Sequence, residues 1–104
     1  MRRGSTPTNT FTTDIDLSGA TLFVSYGQDG CIVIEKTGED LDVSVVEGET
    51  TIVLELSQED TLKFRADRDV EIQIRYVMPN GSADASNIIK TKFERIIKDG
   101  VIYP

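Results

Sequence analysis

The sequence predicts an all-β fold, a single immunoglobulin-like antiparallel β-sandwich of about seven short strands. Three observations carry that prediction. Apolar and polar residues alternate along much of the chain, as in Val70-Glu71-Ile72-Gln73-Ile74-Arg75, the period of a strand with one buried face. Turn residues interrupt the alternation at intervals of roughly 8 to 12 residues, usually around a glycine. Before residue 86, no apolar repeat of helical period runs for a useful length.

Taken in order, residues 1–8 are polar, contain Gly4 and Pro7, and read as a flexible N-terminal arm. The β-sandwich domain is expected over residues 9–104. Phe11, Thr13 and Ile15 share one face of a first strand, with Thr10, Thr12 and Asp14 opposite. Asp16-Leu17-Ser18-Gly19 is a turn with Asx and glycine chemistry. A second strand follows over residues 20–26, with Leu22, Val24 and Tyr26 in register. Asp29-Gly30 between two apolar runs is the clearest hairpin signal in the chain, because it favours positive φ. It leads to a third strand over residues 31–36, with Ile32 and Ile34 on one face and a small, partly buried Cys31 at its start.

A turn at residues 37–40 precedes a short fourth strand carrying Leu41, Val43 and Val45. Glu47-Gly48-Glu49 turns into the fifth, where Ile52, Leu54 and Leu56 alternate with Val53 and Glu55. Ser57-Gln58-Glu59-Asp60-Thr61 then reads as a corner. Ser57 with a carboxylate three residues on resembles a capping box, although Glu or Gln is the commoner third residue. Leu62 and Phe64 return to the interior, and residues 70–77 form the next strand. Pro79-Asn80-Gly81 signals another hairpin loop. The end of the chain fits two patterns. Ile89, Phe93, Ile96 and Ile97 suit an amphipathic helix, whereas Ile89, Thr91 and Phe93 suit one face of a strand. The β-branched content and the preceding loop favour the strand.

Composition removes several functions. The chain has 104 residues and a net charge of −7, which disfavours nucleic acid and anionic membrane surfaces as partners. It lacks histidine, the commonest general base and metal ligand, and tryptophan, the strongest stacking platform for sugars and bases. A Ser-His-Asp triad is therefore ruled out. One cysteine allows no internal disulfide, and its thiolate has no histidine to form it. The start lacks an apolar secretory stretch, so we expect a protein that is made in the cytoplasm and stays there unless carried out in an assembly.

The carboxylates are the remaining candidates for chemistry. Those at the turns (Asp14, Asp16, Glu39, Asp40, Asp42, Asp67 and Asp69) lack the spacing of a calcium loop and read as solvated or capping groups. Glu59 and Asp60 are adjacent on a corner and cannot face each other across a sugar. No catalytic, cofactor-binding or metal residue is assigned, and no enzymatic activity is expected. The basic segment with Lys90, Lys92, Arg95 and Lys98 reads as a solvated face that protects an edge.

The residues also carry a resemblance. Arg2-Arg3-Gly4-Ser5-Thr6-Pro7-Thr8, followed by Thr10-Phe11, resembles the opening of small proteins encoded in phage and prophage tail regions of Gram-positive bacteria. Val24-Ser25-Tyr26-Gly27-Gln28-Asp29-Gly30, Leu56-Ser57-Gln58-Glu59-Asp60-Thr61-Leu62 with Phe64, the strand from Val70 to Arg75, and Gly100-Val101-Ile102 extend the likeness over nearly the whole chain. A looser likeness is to the N-terminal β-sandwich domain of phage baseplate upper proteins, whose helical and receptor-binding parts are not in this sequence. The resemblance implies a non-enzymatic structural protein of a tail or baseplate, acting through contacts with other phage structural proteins. Exposed sheet edges leave room for a homo-oligomer. The expected contacts are the arm, with Arg2, Arg3, Thr6 and Phe11, and the C-terminal segment, with Ile96, Ile97, Val101, Ile102 and Tyr103. The alternative is a carbohydrate- or calcium-dependent β-sandwich binding module.

Overall fold

Two rows of alternating apolar side chains face each other across the interior. Leu22, Val24, Tyr26, Val70, Ile72 and Ile74 come from one sheet, and Ile52, Leu54 and Leu56 from the other. The computed structural model describes residues 1–104 and forms them into β1 (Thr8–Thr13), β2 (Thr21–Gln28), β3 (Cys31–Thr37), β4 (Asp42–Val46), β5 (Glu49–Glu55), α1 (Gln58–Leu62), β6 (Asp69–Val77), β7 (Ala83–Ala85) and β8 (Ile89–Lys92). The smaller sheet has the order β1-β5-β4; the larger has β3-β2-β6, with β7 and β8 both on the far side of β6. Every strand pair is antiparallel. This is the expected sandwich, with eight strands. Its strand order departs from that of an immunoglobulin domain: β2 lies between β3 and β6 rather than beside β5.

Two-residue turns set the hairpins. Asp29 and Gly30 have φ of 53° and 80°, and Glu47 and Gly48 have 51° and 79°. Two consecutive positive φ values match the right-handed twist of the flanking strands, which is why Asp-Gly and Glu-Gly close the β2–β3 and β4–β5 hairpins. A register shift between Tyr26 and Gly27 puts a bulge into β2–β3. Its effect is visible on β3. Ile34 opposite Tyr26 is buried, but Ile32 opposite Gly27 is turned to the outer face and is exposed. The expectation that Ile32 and Ile34 share a face fails for that reason. Cys31 is likewise exposed instead of partly buried, because it opens an edge strand that no layer covers.

At the C-terminal end the strand pattern prevails over the helical one, but only for four residues. β7 and β8 are successive stretches along β6, with Arg75 to Val77 facing Ala85 to Ala83 and Asp69 to Ile72 facing Lys92 to Ile89. The interruption between them is bridged by Ser86, whose N–H donates to the Ile74 carbonyl and whose hydroxyl accepts from the Ile74 N–H. Phe93 then drops into the core. It stacks on Phe64 at 4.6 Å, and Phe64 meets Tyr26 edge-on at 6.3 Å.

Residues 1–7 do not project as a free arm. The Arg3 N–H donates to Glu94 O, the Glu94 N–H to Met1 O and the Leu56 N–H to Pro7 O. The boundary expected at residue 8 is therefore corrected: the first residues are part of the sandwich. The physical reason lies at the end of α1, where the Leu62 and Phe64 carbonyls take side-chain donors from Arg3.

Candidate functional site

The corner after β5 is a short helix, and both chain ends gather on it. Ser57 caps α1. Its Oγ accepts from the Asp60 N–H at 3.0 Å, and the Asp60 carboxylate accepts from the Ser57 N–H at 3.0 Å. The capping box therefore forms with Asp in place of Glu. Asp60 also receives Lys36 Nζ at 2.8 Å, so β3 is tied to the helix. Burial of Asp60 opposes its charge, but the Lys36 ammonium and the hydrogen bonds from Ser57 outweigh it and hold the carboxyl below its ordinary value. Glu59, its neighbour, points to solvent. The two carboxylates share no cleft.

Arg3 closes the other end of the helix. Its Nε donates to Phe64 O at 2.7 Å and a terminal nitrogen donates to Leu62 O at 2.9 Å. These are carbonyls that the helix itself leaves unpaired. The remaining terminal nitrogen reaches Asp99 at 3.3 Å. A rigid planar fork suits this three-way contact better than a lysine would. The Thr61 hydroxyl donates to Ser5 O at 2.9 Å. Gly4, at φ 76°, lets the chain pass so close that a Cβ there would sit 3.1 Å from Ile96.

The C-terminal segment crosses the same corner. Gln58 grips it with both ends of its side-chain amide: Nε2 donates to Ile102 O at 3.0 Å and Oε1 accepts from the Ile102 N–H at 2.9 Å. This pairing imitates one rung of a β-ladder. Its backbone is thus anchored while its side chains stay outside. Ile97 is 99% exposed, Tyr103 84% and Ile102 55%. Ile96 and Val101 are half-buried.

Of the residues expected to meet partners, the structure ties Arg3 and Ile102 directly to the α1 corner, through Leu62 and Gln58, and sets Ile96 beside Gly4; Arg2, Thr6, Ile97, Val101 and Tyr103 are near neighbours of these along the chain. Arg2 and Thr6 are exposed there, with Arg2 paired to Glu94 at 2.8 Å. Arg3 is engaged internally and acts as a clamp. Phe11 lies elsewhere, half-buried on β1 at a cleft between the two sheets. Sequence reasoning missed Gln58 and the Lys36–Asp60 pair. A glutamine beside a turn gives no local sign of the distant backbone that it will hold.

The acidic turns hold their carboxylates locally. Asp16 accepts from both the hydroxyl and the N–H of Ser18, and these bonds hold it below its ordinary value. Asp40 accepts from the Thr37 N–H, and Asp29 meets Arg65 and Arg68. No group of three or more Cys, Asp or Glu side chains converges as metal ligands would. No helix is long and apolar enough to cross a membrane.

No protein-family profile, no curated protein and no solved structure matches the chain.

Proposed function

We propose that this chain is a non-enzymatic structural module of phage or prophage origin, associated with a tail or baseplate, that works by protein–protein contact around α1. The observation that carries the reading is the exposure of Ile97, Ile102 and Tyr103 on a C-terminal segment whose backbone Gln58 holds at Ile102. Exposed apolar side chains on an ordered backbone suit an interface, because little conformational freedom is lost when a partner covers them. Tyrosine is also among the residues that contacts between proteins favour. The motifs that resemble small phage tail-region proteins supply the class of partner.

Particles from an induced lysogen, separated on a density gradient, test the reading. The chain is expected in the fractions that hold tails or baseplates. A chain confined to the soluble fractions would remove the proposal.

A further inference from the structure

The sandwich has one edge that differs from the others. β1 bonds only to β5, so its other side is free. Free strand edges are normally protected by charge, bulges or interruption. β3 carries Glu35 and Lys36 and follows the bulge at Gly27. β4 carries Asp42, and the β7–β8 edge is interrupted and holds Asp84, Lys90 and Lys92. β1 has none of these protections. No residue from Thr6 to Thr13 is charged, and its six pairs with β5 run without a register shift.

The direction of its free groups follows from the pairing. The Leu56 N–H donates to Pro7 O, which makes Pro7 and Leu56 a hydrogen-bonded pair. In an antiparallel ladder such pairs alternate, so Asn9, Phe11 and Thr13 turn their backbone groups to β5. The N–H and C=O of Thr8, Thr10 and Thr12 then point away from the sheet. Beside this edge lies a cleft of 440 Å³ between the two sheets, walled by Phe11, Ile15, Ile52, Ile74, Tyr76 and Ile89.

The geometry points to β1 as the site at which a second copy of this chain adds on, strand to strand, in a two-fold dimer. Antiparallel pairing centred on Thr10 sets Thr10 against Thr10 of the second copy, and Thr8 against Thr12. Every outward N–H of the three threonines then meets an outward carbonyl, so the strand is its own complement, as a two-fold interface requires. The inward side chains of the added strand, Asn9, Phe11 and Thr13, fall on the side where the cleft opens. Charge selects the same place: two copies at −7 each repel, and the uncharged stretch from Thr6 to Thr13 is where their strands can meet without opposing like charges. The inference stands apart from the assignment to a phage particle, and its failure would leave that assignment untouched.

Sedimentation velocity of the full chain across a concentration series tests it, together with T10P and T10K. Proline at position 10 removes an N–H that points outward and spares the bonds to β5. The wild type is expected to dimerise, and each variant to raise the dimer dissociation constant by at least about tenfold, since the two-fold axis doubles each lesion. Thermal unfolding of each variant checks that the sandwich persists. A variant triply substituted at Ile97, Ile102 and Tyr103 should still dimerise. A wild type that stays monomeric at all concentrations would overturn the inference. So would a folded T10P or T10K that dimerises as well as the wild type, or loss of the dimer in the triple variant.

Discussion

Lys36 Nζ lies 2.8 Å from the Asp60 carboxylate and joins β3 of the larger sheet to the helix that leaves β5 of the smaller one. Both side chains are largely covered, at 20% and 13% exposure. In such a place a carboxylate without its cation is costly. We predict that Lys36→Met destabilises by about 1–3 kcal/mol, because Asp60 is left charged and partly desolvated. In the double variant with Asp60→Asn, part of that loss should return. Urea unfolding of the two single variants and the double variant measures the coupling, and strict additivity would mean that the pair is decorative.

The same carboxylate fixes a pH dependence. Asp60 titrates below its ordinary value of 3.8 in the folded chain. A depressed carboxylate contributes stability above the unfolded pKa and loses it as the pH falls through the folded one. The melting temperature of the wild type should therefore drop as pH falls from about 5 towards 2, and Asp60→Asn should show a shallower drop over that window. Equal slopes would remove Asp60 from the acid response.

Arg3 is expected to matter for folding. It donates to the carbonyls of Leu62 and Phe64 and is mostly covered. Arg3→Ala should cost about 1–3 kcal/mol by leaving these acceptors without a partner. Arg3→Lys should recover only part of it, since an ammonium cannot reproduce the fork. A wild-type unfolding midpoint for Arg3→Ala would return residues 1–7 to the status of a loose arm.

The corner separates core from surface within a few residues. Phe64 is 1% exposed and lies between Tyr26 and Phe93. Phe64→Ala should cost about 3–5 kcal/mol as a cavity in the aromatic cluster. Leu62 is only half-buried and should cost less on truncation. Glu59→Ala should stay within about 0.5 kcal/mol. Thermal denaturation ranks the three, and a large loss at Glu59 would contradict its placement in solvent.

Where the reading of the sequence succeeded, the signal was local. Leu22, Val24 and Tyr26, or Val70, Ile72 and Ile74, announce a buried face because a strand repeats every two residues. Asp29-Gly30 and Glu47-Gly48 announce their turns because two positive φ values are needed in succession. What stayed hidden depends on partners far along the chain. The bulge that turns Ile32 outward is a property of the β2–β3 pairing. Residues 1–7 look like an arm because nothing near them states that Arg3 will meet a helix end some 60 residues away. The capping chemistry at residues 57–61 was legible, but not the helix, since five residues are too few to show a period. The site was half legible: the apolar tail could be seen, and its anchoring by Gln58 could not.

We propose that the surface around α1 and the exposed Ile97, Ile102 and Tyr103 hold this chain in a phage particle. The most direct measurement is the copy number of the chain in purified particles by quantitative mass spectrometry, for the wild type and for a variant with all three residues changed to serine. The account predicts wild-type chain in a fixed ratio to the other tail proteins, and at least about a tenfold loss for the variant while it stays folded in solution. Absence of the wild type from particles, or equal incorporation of the folded variant, would contradict it.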